Sequence, residues 1–226
     1  MNATINLRRT VLLSALATTG SLIGGLFVAF LLGSLVHGGL PGHMEENAKT
    51  GVSALVALVF VIAAGALWGR AITRITRAGD QKRMMWAGAL GFGPTVIAVG
   101  IVLTMLEVAI VERGGGPALP IHTVFTLLFT PAAFVIATMG GLAIGIAMKD
   151  AQLMVRLALS SGLAAGVTFL VVDLLMDAVG YRVGAPGAAE RFTMLTVMFL
   201  GNLAASLTGG AAIGYMLAKN QMGSHE

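Results

Sequence analysis

The twenty residues VSALVALVFVIAAGALWGRA, at positions 52–71, decide which class of fold this sequence can form. They contain no acidic residue and a single cation, Arg70, close to their end. A helix of about 20 apolar residues is long enough to cross the roughly 30 Å hydrocarbon core of a bilayer. The stretch therefore predicts a transmembrane helix rather than a helix in the core of a soluble domain.

Five other stretches of the chain have the same apolar character. They lie at Val11–Val36, Met84–Val111, Ile121–Met148, Leu153–Val179 and Phe192–Ala218. Of the 226 residues, 57% are hydrophobic and 11% are charged, whereas soluble domains carry about 25% charged residues. We therefore predict an all-α integral membrane protein, with six transmembrane helices in one domain and a short polar tail at 219–226.

Lysine and arginine are divided unequally between the two sides of the predicted membrane. One side carries ten of the fourteen, namely Arg8, Arg9, Arg70, Arg74, Arg77, Lys82, Arg83, Lys149, Arg156 and Lys219. Because short cytoplasmic loops carry the excess of basic residues, we expect both termini to be cytoplasmic, in a prokaryotic plasma membrane. The cluster from Arg70 to Arg83 is expected to contact anionic lipid head groups, not nucleic acid.

Three loops on the opposite side share a pattern of a basic residue, glycine and proline. They read HGGLPG at 37–42, RGGGPA at 113–118 and RVGAPG at 182–187. The same displacements along the chain align three pairs of glycines spaced four apart: Gly65 and Gly69, Gly141 and Gly145, Gly210 and Gly214. Small residues at this spacing let helices in lipid approach closely. We predict three tandem helical hairpins, at about 8–79, 84–148 and 153–219, with an approximate three-fold internal repeat.

Three acidic residues, Glu107, Asp173 and Asp177, fall inside predicted helices. A carboxylate at the bilayer centre costs about 2.5–3.5 kcal/mol on insertion scales, so it faces the bundle interior or a watery cavity. Asp173 and Asp177 are one turn apart and share a helix face.

Two interpretations of these acids remain open. In the first, they pair with basic residues at the outer interface, namely Arg113, Arg182 or Arg191. In the second, they line an acidic vestibule that opens outward and narrows towards Asp173. Asn202, near the middle of the last helix, either bonds across a helix interface or belongs to the same path.

Histidines His37, His43 and His122 fall on the outer side, near Glu45 and Glu46. Histidine and carboxylate together can hold a divalent metal, although the spacing fits no established motif and ordinary loop histidines are the alternative. The chain has no cysteine, which excludes disulfides and thiolate metal ligands.

No common catalytic motif occurs in the sequence, such as GxSxG, HExxH or a phosphate-binding loop, and no cofactor is indicated. We therefore expect a protein that is not an enzyme. The leading hypothesis is a small transport or channel-type protein for a cation or small solute, with an acidic outer vestibule. The alternative is a non-catalytic scaffold or accessory subunit that packs against other membrane subunits.

Overall fold

The computed structural model describes residues 6–41, 43–112, 121–179 and 189–223, and every regular element in these ranges is a helix. Side chains are described throughout these ranges except at 92, 104, 107–112, 121–124 and 189–195. Within the described residues, six helices are long and apolar enough to cross a membrane. The predicted all-helical architecture is confirmed, and its six long apolar helices are compatible with a multi-pass membrane protein.

The six helices follow one another with short connections. They are α1 at Leu7–Gly39, α2 at Glu46–Thr76, α3 at 81–112, α4 at Ile121–Met148, α5 at Ala151–Ala178 and α6 at Ala189–Gly223. Two of them contain a π-helical turn, Gly20–Gly24 in α1 and Gly88–Phe92 in α3. When the first two hairpins are aligned by their glycine–proline loops, the π-helical turn of α1 corresponds to residues 96–100. The π-helical turn of α3 lies earlier, at Gly88–Phe92, so the two hairpins differ locally.

The three odd-numbered helices begin at capping side chains. Asn6, Asp80 and Asp150 each accept a hydrogen bond from the backbone N–H three residues later, at 3.1, 2.9 and 2.9 Å. Such a cap contributes about 0.5–2 kcal/mol. Helices α2 and α4 end just before Arg77 and Lys149, whose φ angles of 56° and 58° are left-handed. These caps and turns reverse the chain within a few residues on the side that carries most of the basic residues.

Each helix packs against the next one along the chain, and α6 returns to pack against α1. The six aligned glycines lie at three of these contacts. The pair at 65 and 69 faces α3, the pair at 141 and 145 faces α5, and the pair at 210 and 214 faces α1. At each position an added Cβ would lie closer than 3.0 Å to an atom of the neighbouring helix. These contacts therefore need glycine.

The buried side chains form two clusters. One includes Trp68, Met84 and Leu157, and all six helices contribute to it. The other, around Phe125, Phe169 and Val197, comes from α4, α5 and α6 alone. Large apolar side chains cover the outside of the bundle, as Phe30 (77% exposed) illustrates. An apolar surface of this extent is consistent with contact with a lipid bilayer.

Candidate functional site

A cavity of about 40 Å³ lies where the two buried clusters meet. Helices α1, α2, α4, α5 and α6 contribute to its lining. Most of the lining is alanine, glycine and aliphatic side chain, and the polar groups come from Thr18, Trp68, Asn202 and Ser206. By the same measure a water molecule needs about 10–15 Å³. The cavity therefore has room for a few waters but not for a larger solute.

The polar lining residues are tied to one another and to the helix backbones. The indole N–H of Trp68 donates to Thr18 Oγ1 at 2.9 Å, and the Thr18 hydroxyl donates to the carbonyl of Ser14 at 2.8 Å. Across the contact between α6 and α1, the Ser206 hydroxyl donates to Thr19 Oγ1 at 3.1 Å. Trp68 is thus a buried residue with a satisfied N–H.

Asn202 lines this cavity, as the hypothesis of a solute path requires. Its side-chain amide donates to the carbonyl of Met198 at 2.9 Å. Among the described residues that is its only hydrogen bond, so the amide oxygen remains available as an acceptor. The hydrogen bond to Met198 lies within α6, so it does not explain why an amide side chain occurs in the middle of this apolar helix.

Asp173 is buried, with 8% of its surface exposed. Its carboxylate accepts a hydrogen bond from the hydroxyl of Thr126, which joins α5 to α4. Within the described side chains, no basic residue forms an ion pair with Asp173; the ion pairs found there both involve Glu46. A buried carboxyl is costly in lipid, which makes Asp173 a functional candidate.

The other predicted path residues lie further out or outside the described side chains. Asp177 is half-buried, one turn beyond Asp173 on α5. The Glu107 side chain, and residues Arg113 and Arg182, lie outside the described part of the chain. Pairing with arginines and the acidic vestibule both stay predictions for these acids.

Phe169 stands between Asp173 and the cavity. The three residues Asp173, Phe169 and Ala165 follow at spacings of four on α5, and Ala165 lines the cavity. Phe169 is fully buried, and its ring centroid lies 6.5 Å from that of Phe125. The sequence analysis did not identify Phe169, although its spacing of four residues from Asp173 places it one helical turn away.

The ring of Phe169 also packs closely against α6. An added Cβ at Gly201 would lie 2.6 Å from this ring, and Gly201 is the neighbour of Asn202. A closed aromatic contact therefore separates the carboxyl from the cavity in this conformation.

His37 and His43 do not gather with other potential ligands into a metal centre among the described side chains. His37 forms an ion pair with Glu46 at 2.8 Å. The carboxylate of Glu46 also lies 3.7 Å from the ammonium group of Lys49. His43 is exposed, and the side chain of His122 lies outside the described part. No group of three His, Cys, Asp or Glu side chains gathers among those described. Because the side chain of His122 lies outside the described part, the metal site at His37, His43 and His122 stays a prediction.

Basic side chains surround the C-terminal end of α2 and the start of α3. Arg70 and Arg74 line a shallow pocket of about 400 Å³ with Leu67, Ala71 and Ile75. Lys82 and Arg83 are exposed at the start of α3. Such a pocket offers two cations for a phosphate group and an apolar wall for an acyl chain, which are the two parts of a phospholipid.

The fold places the chain in the class of multi-pass helical membrane proteins. Comparisons with protein families, curated proteins and solved structures found no significant match to it.

Proposed function

We propose that this chain is a small transport or channel-type protein for a cation or small solute. The observation that carries the proposal is the central cavity, lined by Asn202 and hydroxyl groups in the interior of a six-helix bundle. Asp173 lies about 12 Å further out along α5 than the cavity residue Ala165, at 1.5 Å per residue. An acidic group outside a cavity that holds an amide and hydroxyl groups is an arrangement that attracts a cation and offers it oxygen ligands further in.

The path has two parts separated by Phe169. Asp173, with Thr126, forms the outer part, and Asn202, Thr18 and Ser206 form the inner part. In this conformation the aromatic contact is closed. Transport therefore requires Phe169 to change rotamer or α5 to shift relative to α4 and α6. Hydrophobic constrictions of this kind gate ion paths by excluding water.

The proposal includes an orientation and an internal symmetry. Both termini are cytoplasmic in the plasma membrane, with Arg70, Arg74, Arg77, Lys82 and Arg83 against anionic head groups. The charge asymmetry supports this orientation. The three caps of the odd-numbered helices and the three equivalent glycine contacts support an approximate three-fold repeat of hairpins.

Substitution of the cavity residue tests the transport proposal. Asn202→Leu removes the amide and fills the cavity with an apolar side chain, so uptake of radiolabelled cations into proteoliposomes should fall. The matched control is Asn220→Leu, the same change at an exposed position of α6. Thermal unfolding in detergent checks that both variants fold. Equal uptake by the parent and Asn202→Leu, with both folded, would refute the path through the cavity.

The alternative, a non-catalytic subunit of a larger membrane complex, is favoured by one feature of α1. Its outer half, Gly25–Gly39, packs mainly on α2 and exposes Phe27, Phe30 and Leu35 at 65%, 77% and 62%. Such a surface suits a neighbouring membrane subunit as well as lipid. Purification from the native membrane in a mild detergent separates the two, since a subunit should co-purify with a stoichiometric partner.

A further inference from the structure

The shallow pocket near the C-terminal end of α2 is built from one face of that helix. Its volume is about 400 Å³, and the described residues that line it all belong to α2, namely Leu67, Arg70, Ala71, Arg74 and Ile75. These positions follow the spacings of three and four that place residues on one helix face. Because no neighbouring helix contributes to this lining in the described part of the chain, an occupant of the pocket has to come from outside the bundle.

This face of α2 points away from the core. The buried residues in the same part of the helix lie on the other side, at Gly65, Trp68, Gly69, Ile72 and Thr76. On that side Gly65 and Gly69 approach the backbone of α3. In a chain that spans the membrane, the face that carries the pocket is therefore turned towards lipid.

The two arginines of the pocket have no counter-ion among the described side chains. The ion pairs found there both involve Glu46, which lies at the other end of α2. Arg70 is half-buried, and its Nε is covered and has no hydrogen-bond partner among the described residues. The terminal guanidinium nitrogens are therefore the donors through which Arg70 can bind a ligand. Two guanidinium groups one turn apart suit a phosphate, whose oxygens accept such donors in pairs.

An apolar surface continues from the pocket towards the middle of α2. Leu67 is 60% exposed, and Ala63 and Phe60 are also exposed on the same face. Phe60 lies about 15 Å from Arg70 along the axis, at 1.5 Å per residue. That is half of the roughly 30 Å hydrocarbon core, the depth that the acyl chains of one leaflet fill. A free phosphate ion would use the arginines alone, whereas a phospholipid uses both the arginines and this apolar surface.

We propose that this face of α2 is a discrete binding site for one anionic phospholipid, whose phosphate binds Arg70 and Arg74 and whose acyl chain lies along the apolar surface beside Leu67. The selection is electrostatic, because a choline or ethanolamine head group would bring a positive charge close to the two arginines. The inference goes beyond the attraction of the whole basic cluster to the membrane surface, since it assigns one lipid to one pocket. It does not depend on the proposed transport function.

The test measures lipid binding to the purified full-length chain in detergent micelles. The probe is a fluorescently labelled phosphatidylglycerol, which is anionic. The competitors are unlabelled dioleoyl phosphatidylglycerol, dioleoyl phosphatidylcholine and inorganic phosphate. We expect one labelled lipid to bind per chain. Unlabelled phosphatidylglycerol should displace it, phosphatidylcholine with the same acyl chains should displace it only weakly, and inorganic phosphate should leave it bound.

Single substitutions separate the pocket from the general basic charge of the chain. Arg70→Gln should lower the affinity for the labelled lipid about tenfold, because it removes charge-assisted hydrogen bonds to the phosphate. The matched control is Arg9→Gln, which removes the same charge from an exposed residue in the first turn of α1 and should bind the lipid as the parent does. Leu67→Ser should also weaken binding, although it removes no charge. Thermal unfolding in detergent checks that all three variants fold.

Each contrary outcome overturns a stated part of the proposal. Equal affinities of Arg70→Gln and Arg9→Gln would contradict a discrete pocket, since only the total charge would then count. Displacement by inorganic phosphate as effective as that by phosphatidylglycerol would make the pocket a site for free phosphate instead. Equal displacement by the two lipids would overturn the preference for an anionic head group. No lipid bound by the parent would overturn the whole inference and leave the transport proposal standing. If Arg70→Gln unfolds, Arg74→Gln, at the exposed arginine of the pair, tests the same pocket with the same expected loss.

Discussion

Gly210 of α6 and Thr18 of α1 approach so closely that an added Cβ at the glycine would lie 2.5 Å from the Thr18 hydroxyl oxygen. This contact closes the ring of helices, because it joins the last helix to the first. It also holds Thr18 at the cavity, where the indole N–H of Trp68 donates to it. Thr18 therefore belongs both to the contact between α1 and α6 and to the candidate path.

The first prediction concerns this closure. Gly210→Ala should lower stability in detergent by about 1–3 kcal/mol, the usual cost of overpacking a closely packed contact. The control is Gly51→Ala, on the exposed side of α2, where an added Cβ has no atom within 4 Å. Thermal unfolding curves of the two variants and the parent give the comparison. A Gly210→Ala protein as stable as the Gly51→Ala protein would show that the ring does not close this tightly.

The second prediction concerns the bond between Trp68 and Thr18. Trp68→Phe and Thr18→Val should each destabilise the fold, and the double variant should lose less than their sum. The difference is the coupling of the two side chains, expected at about 0.5–1.5 kcal/mol for a hydrogen bond. A double-mutant cycle from denaturation midpoints measures it. Strict additivity would mean that this bond contributes nothing to stability.

The third prediction concerns orientation. Because the natural chain has no cysteine, single cysteines report accessibility without background labelling. Asn47→Cys, just inside the start of α2, should react with an impermeant thiol reagent in intact cells, and Lys82→Cys should react only after lysis. Both positions are exposed. Gly79, in the loop just before Lys82, is a poor choice, since its φ of +72° disfavours a side chain. The reverse labelling pattern would invert the proposed topology.

The sequence predicted the helices well because each one depends on a local property, a run of apolar residues about as long as the bilayer is thick. Glycine positions such as Gly65 and Gly141 were also readable, since lipid-embedded packing favours small residues at a spacing of four. The caps at Asn6, Asp80 and Asp150 were missed, although an Asx residue before an apolar run is a recognisable start signal.

The site was harder to predict because it depends on which helices meet. The pairing of Asp173 with Thr126 joins residues 47 positions apart, and the bond from Trp68 to Thr18 spans 50. Nothing local shows that Phe169 stands between the carboxyl and the cavity. The place of Thr18 in the cavity lining was also missed, because its burial follows only from the contact with α6.

The most direct measurement of the central claim is transport by Asp173→Asn in proteoliposomes, compared with the parent over a range of pH. Asparagine keeps the size of the side chain and can accept a hydrogen bond from Thr126, so the fold should be retained. The account predicts measurable flux in the parent and flux at the level of protein-free vesicles in the variant. Parent flux that survives the substitution unchanged, at every pH tested, would contradict a functional role for this carboxyl.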